Sequence, residues 1–256
     1  MNNANVAATA GDQVPEHPIE IWTTRLDLDA DAIAACAALL SPDEIARMRR
    51  FRPEHKRREF TITRALLRIV LGQALSCEPA SIVLCYGAHG KPTLAGDFRA
   101  HELSFNVSHS HNMATLVIAE GVETGIDIER LRTDADFTGL ARRYFSAGEA
   151  RYLAGLVEEA RPAAFFACWT RKEALVKALG MGISFGLNEF SVSMDPDEIE
   201  VRLHSDHPAL SGNWRLYSFR PSPDYVCAVA VNNPCRHVLR FHEAKRDLHG
   251  VYPLPQ

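Results

Sequence analysis

The strongest constraint on this 256-residue chain is an order: helix-patterned sequence gives way to strand-patterned sequence twice, once before about Glu123 and once after. Runs of helices followed by runs of strands build α+β layers rather than an alternating parallel sheet. The expectation is an α+β fold of two similar lobes, residues 19–123 and 124–235, with a polar, small-residue leader (1–18) that reads as disordered and a tail (236–256). Two lobes of this size suit the chain length, since domains run to about 100 to 200 residues. No repeat of individual residues accompanies the repeated order, so the duplication is an expectation about architecture.

In the first half, residues 19–26 read as a strand and 31–40 as a helix. Ser41-Pro42-Asp43-Glu44 restarts a helix, with Ser41 as cap, Pro42 in the first position and Glu44 completing a capping box. Pro53 opens a long helical pattern to about Leu75, whose apolar stripe includes Phe60, Ala65, Leu66, Ile69 and Val70. Strand signals follow at 82–86 and 103–107, and residues 114–120 and 124–129 read as a hairpin about Gly121. The second half has helices at 137–144, after the capping box Ser146/Glu149, and from Pro162 to Gly180. Strands are expected at 189–194, 201–204, 214–220 and 225–231, with one more in the tail.

Composition narrows the function classes. A formal charge of −4 argues against general nucleic-acid binding. No run of about 18 apolar residues exists to span a membrane. The six cysteines are scattered without a C-x-x-C pair, which suits reduced thiols and a cytoplasmic setting. Against the acidic total, Arg47, Arg49, Arg50, Lys56, Arg57, Arg58, Arg64 and Arg68 make the first helices locally basic. Such a face is either a solvated helix surface or a holder of phosphates, which arginine matches with its forked donors.

Three stretches carry chemistry. In Trp169-Thr170-Arg171-Lys172-Glu173-Ala174-Leu175-Val176-Lys177, helical spacing sets Trp169, Glu173 and Lys177 on one face, with Lys172 beside Glu173. Alone, this is a surface ion pair worth a few tenths of a kcal/mol, about 0.2–0.5. In Gly125-Ile126-Asp127-Ile128-Glu129, strand alternation points both carboxylates to one face and both isoleucines to the other. Like charges so close suit an open surface or a shared hard cation, with Glu173 as a third oxygen donor. In Phe105-Asn106-Val107-Ser108-His109-Ser110, hydroxyls flank a histidine after a strand, a pattern fit for phosphate or for acid/base work. A zinc site at His109 and His111, with His89 and His101 near, lacks cysteines and helical H-x-x-x-H spacing. A serine hydrolase would need a G-x-S-x-G elbow, which is absent.

With Gly90-Lys91-Pro92 placed before them, these stretches form an ordered set that resembles the 4′-phosphopantetheinyl transferase superfamily, its Sfp-type branch in particular. The resemblance extends over roughly residues 19–231. It implies two lobes about a pseudo-twofold axis, a monomer, and coenzyme A with Mg²⁺ held in the cleft between the lobes. The implied activity is transfer of the 4′-phosphopantetheine arm of coenzyme A to a serine hydroxyl of an apo acyl or peptidyl carrier protein, releasing adenosine 3′,5′-bisphosphate. The implied metal ligands are Asp127, Glu129 and Glu173. Glu173 would also take the serine proton, and Lys172 and Lys177 would contact phosphate oxygens, with Lys177 serving the leaving group. Ser108 and His109 would bind phosphate on the ribose side, Lys91 and Pro92 would border the adenine, and Arg47 and Arg64 would meet the 3′-phosphate. Thr63-Arg64 stands where some members have Gly-Arg, and Glu149 resembles an acidic family position without an assigned role. Two rivals stay in view: a nucleic-acid binder using the arginine-rich helices, and an inactive coenzyme A or carrier binder of the same fold.

Overall fold

The computed structural model describes residues 18–87, 90–182, 185–203, 207–233 and 238–244. All of the expected leader except Pro18 lies outside these residues, as do His89 and most of the tail. The first half comprises β1 (Ile19–Arg25), α1 (Ala30–Ala38), α2 (Pro42–Arg50), α3 (Glu54–Leu75), β2 (Leu84–Tyr86), β3 (Pro92–Leu94), β4 (Leu103–Ser110) and β5 (Met113–Glu120). The second comprises β6 (Glu123–Arg130), α4 (Phe137–Tyr144), α5 (Ala147–Gly155), α6 (Arg161–Leu179), β7 (Glu200–Arg202), β8 (Trp214–Phe219), β9 (Tyr225–Asn232) and β10 (Leu239–Glu243).

Two four-stranded sheets result, ordered β10-β1-β5-β4 and β6-β9-β8-β7, beside a small β2-β3 hairpin. The runs β1-β5-β4 and β6-β9-β8 occupy equivalent places: in each, the first strand precedes the helices and pairs with the last strand of the run in chain order. Both central strands bury both faces. In β9, Val226, Ala228 and Ala230 meet the helical core around α6, while Cys227, Val229 and Val231 meet Ile19, Ile21, Val117, Ile126 and Ile128 in a core shared by the two sheets. In β5, Ala114, Leu116 and Ile118 turn the other way, toward α1 and α3. The layers thus run helix, sheet, sheet, helix.

The halves also share a buried device. Ser41 and Glu44 form the capping box that starts α2, and the same Glu44 accepts from Arg68 Nε of α3 (2.6 Å). Arg68 then donates to Pro79 O and Ile82 O beyond the helix. In the second half Ser146 and Glu149 form the capping box of α5, and Glu149 pairs with Lys172 Nζ of α6 (2.9 Å). Lys172 likewise donates to two later carbonyls, Leu187 O (2.8 Å) and Phe190 O. One turn earlier, Arg64 lies 3.4 Å from Glu44 Oε1 and Cys168 Sγ lies 3.5 Å from Glu149 Oε1. A buried carboxylate that caps one helix and clamps the next is therefore built twice, from different cations.

Two expectations fail for reasons visible in the pairing, and a third gains a detail. Residues 114–120 and 124–129 are not a hairpin: β5 is paired on both edges, by β1 and β4, so β6 crosses to the second sheet and pairs with β9. The hairpin is β4-β5, turned through His111 at φ 51°. Residues 189–194 form no strand, since the carbonyl of Phe190 and the N–H of Val192 are taken by Lys172 and Glu149 rather than by a neighbouring strand. The tail's strand, β10, belongs to the first sheet, parallel to β1.

The lobes meet along β4 and β6, through side chains rather than a backbone ladder. Ser104 Oγ accepts from Thr124 N–H (3.1 Å), Asn106 Oδ1 from Ile126 N–H (3.0 Å) and Ser110 Oγ from Arg130 N–H (3.2 Å). The alternate polar residues of β4 thereby satisfy an edge of β6 that no strand covers.

Candidate active site

Helix α6 reaches the site because Gly125 lets it. A Cβ at Gly125 would stand 2.3 Å from Ala174 O and 2.4 Å from Ala178 N, so α6 rests directly on the β6 backbone there. Two residues along β6, on the same face, is Asp127, and the α6 residues next to the contact are Glu173 and Lys177. Pro162 stands in the first turn and Gly180, at φ 66°, closes the helix in the left-handed conformation that glycine adopts freely.

A cavity of about 380 Å³ opens here, lined by Val107, Ser108 and His109 of β4, Asp127 and Glu129 of β6, and Trp169, Glu173 and Lys177 of α6. Asp127 is buried. Its Oδ1 accepts from Lys177 Nζ (2.5 Å) and Ser108 Oγ (2.8 Å), and Lys177 Nζ also donates to Ser108 Oγ (2.9 Å). Its Oδ2 is buried with no partner among the described residues. Glu129 accepts from Ser110 Oγ (2.8 Å). Burial, then the charge of Asp127, pushes the Glu129 and Glu173 carboxyls above the usual carboxylate range, and Lys177 opposes this in both. Three carboxylates thus lie in the field of the Lys177 ammonium, and among the described residues the fully buried Oδ2 of Asp127 has no hydrogen-bond partner.

No three His, Cys, Asp or Glu side chains among the described residues stand close enough to make a ready-formed metal cage. The donor set nonetheless fits a hard cation: all oxygens, short of positive charge, and including the Oδ2 of Asp127, which has no hydrogen-bond partner among the described residues.

Of the residues marked in the sequence, Ser108, His109, Asp127, Glu129, Glu173 and Lys177 come together, with Trp169 stacked on Phe165 behind them. Lys172 does not. The expectation that it meets phosphate oxygens is corrected by its complete burial, where Glu149 and two carbonyls take its three protons. Glu149 gains the role that the sequence left open, as that buried partner. Lys91 spans the lobes, donating to Ala178 O (2.8 Å) and Thr124 O (3.4 Å), and Pro92 lies in β3 opposite Tyr86. Arg47 and Arg64 both lie over the rings of Phe60 and Tyr86, and Arg64 Nε and Nη1 and the Tyr86 hydroxyl are buried without hydrogen bonds among the described residues. Sequence reasoning passed over Glu59, whose Oε2 lies 3.4 Å from His109 Nε2. Its only signal was an acidic residue within a basic helix face.

Comparison with known proteins identifies the family. The 4′-phosphopantetheinyl transferase superfamily matches residues 123–230, and the family described as 4′-phosphopantetheinyl transferase, N-terminal, matches residues 29–121. The 4′-phosphopantetheinyl transferase HetI of Nostoc sp. is 39% identical over 83% of this chain and 87% of its own length. A putative 4′-phosphopantetheinyl transferase of Synechocystis sp. is 39% identical over 78% of each chain. The Sfp transferase of Bacillus subtilis is more distant, 25% identical over 77% of this chain and 84% of its own. With both halves matched and the site residues meeting where the halves join, the chain belongs to the 4′-phosphopantetheinyl transferase superfamily.

Proposed function

We propose that the protein transfers the 4′-phosphopantetheine arm of coenzyme A to a serine hydroxyl of an apo acyl or peptidyl carrier protein. The observation that carries this reading is the cavity between the two halves, where Asp127, Glu129 and Glu173 stand with Lys177 and the buried Oδ2 of Asp127 has no hydrogen-bond partner among the described residues. The serine oxygen forms a bond to the phosphorus next to the pantetheine, and the bond from that phosphorus to the bridging oxygen breaks. Adenosine 3′,5′-bisphosphate leaves. Phosphoryl transfer of this kind asks mainly for positioning and neutralisation of charge.

Glu173 accepts the serine proton, and its raised affinity for protons brings it nearer to the operating pH of a general base. Lys177, held by Asp127 and Ser108, presents its ammonium to the leaving phosphate. Asp127, Glu129 and Glu173 would hold Mg²⁺, which when bound supplies positive charge to the pyrophosphate. On the ribose side Ser108 and His109 line the route, and Arg47 and Arg64 lie beside Tyr86, with Arg64 keeping two donors without hydrogen bonds among the described residues to offer the 3′-phosphate. Lys91 and Pro92 border the adenine, with the Lys91 ammonium spent on two carbonyls of the second half, Thr124 O and Ala178 O. The two halves, with their equivalent strand order, would be related by a pseudo-twofold axis and work as a monomer.

The test is incubation with coenzyme A, Mg²⁺ and several apo carriers. The carrier gains the mass of the phosphopantetheine group; an unchanged mass for every carrier removes the proposal. Asp127→Ala should abolish transfer with the far-UV circular dichroism intact.

A further inference from the structure

We propose that Glu59 is a positioning residue for His109, turning its ring so that the imidazolium presents Nδ1–H to the anionic substrate in the cavity. The inference rests on the reading of that cavity given above. His109 lies on β4 with Phe105 and Val107, on the face opposite Ser108 and Ser110, and so looks toward the first turns of α3 as well as into the cavity. Its Nε2 is 3.4 Å from Glu59 Oε2, and that oxygen also receives Lys56 Nζ at 2.7 Å. Glu59 is largely buried, its side chain 13% exposed, whereas 42% of the His109 side chain reaches solvent. The carboxylate is the fixed partner, and the imidazole is the one free to meet a ligand.

This geometry decides which form of His109 can serve. With Nε2–H given to Glu59, a neutral ring leaves Nδ1 as an acceptor, which repels a phosphate. Only the doubly protonated ring donates on both sides, to Glu59 behind and to an anion in front. Burial lowers the proton affinity of His109, and Lys56 of α3 and Lys177 of α6 lower it further, while Glu59 raises it. Asp127, Glu129 and Glu173 share the cavity and the substrate adds negative charge of its own. Glu59 and Lys56 therefore pull in opposite directions on a group that faces the ligand.

The two neighbours supply the experiment. Coenzyme A binding and transfer to an apo carrier are measured from pH 4.5 to 8, a window that reaches below the ordinary histidine range because His109 holds its proton less tightly than a free imidazole, for the wild type, Glu59→Gln and Lys56→Met, with melting temperature as a check on folding. As pH rises, affinity falls when His109 loses its proton. Glu59→Gln moves this fall to lower pH and Lys56→Met to higher pH. A displacement of one pH unit appears as about a tenfold change in KM at the pH between the two falls, with kcat changing far less. Glu59→Asp restores part of the wild-type profile. Three superimposable profiles, or a drop in kcat with KM unmoved, overturn the proposal. A wild type that binds coenzyme A with unshifted variants defeats this inference alone, whereas a wild type that binds none defeats the reading of the cavity with it.

Discussion

Asp127, Lys172 and Glu149 show how one side chain's worth depends on what surrounds it. Lys172 and Glu149 form a buried pair, and removing one partner of such a pair strands the other's charge. Lys172→Met should lower stability by about 3–5 kcal/mol, read as a fall in melting temperature. The double substitution Lys172→Met/Glu149→Leu should recover part of it. Coenzyme A affinity per folded molecule should stay near wild type, which a phosphate ligand at Lys172 would not permit. The Trp169–Lys177 stretch announced the charges but not their directions. Residues 172 and 173 are 100° apart around a helix, so one faces the core and its neighbour the cavity, and only the packed structure says which. Glu59 was hidden for a related reason: its partner lies 50 positions away, and no local pattern joins a residue of α3 to one of β4.

At the scale of elements, the contact between α6 and β6 sets the distance between the helix that carries Glu173 and Lys177 and the strand that carries Asp127 and Glu129. Gly125→Ala puts a methyl group against backbone at both Ala174 and Ala178, where no side chain can swing aside. The helix must lift, and the expected outcome is loss of transfer together with a clear drop in melting temperature, typical overpacking costing about 1–3 kcal/mol. Retention of full activity would show that α6 shifts without disturbing Glu173. Helices were the most legible elements, because capping boxes at Ser41 and Ser146 and the glycine at 180 mark their ends in the sequence. Strand pairing was not legible at Gly121, since a turn residue says that the chain reverses and not which edge is free. The extended segment at 190–194 has strand-like alternation, yet its backbone groups answer to a buried ion pair.

Across the whole molecule, the carboxylates of the cavity make stability depend on pH and cations. Glu129 and Glu173 hold protons more tightly when folded than when unfolded, so the native state binds more protons and stability falls as pH rises. The loss begins near the ordinary glutamate value of 4.5 and continues through the raised range. In chelator the melting temperature should decline over that interval more in the wild type than in Glu129→Gln/Glu173→Gln. Mg²⁺ at neutral pH should restore it in the wild type alone, by about 2.7 kcal/mol at a hundred times its dissociation constant. The order of helices then strands, met twice, was readable from the repeated sequence texture, and it yields two four-stranded sheets. The lobe boundary was less so, for the tail's strand returns to the first sheet, and Phe241 on it touches Phe219 of the second.

That return has a mechanical consequence. Strands β1 and β10 run parallel, from Ile19 beside Leu239 to Thr23 beside Glu243. A force drawing Ile19 away from Glu243 pulls at opposite ends of the ladder, so its hydrogen bonds slide against one another and share the load instead of opening singly. Tethered at these two positions and stretched, the protein should resist as a clasp in shear, and Trp22, stacked on His242 at 4.3 Å, lies in the line of pull. Moving the second tether to Leu239 would load the same ladder as a zipper, and the rupture force should fall.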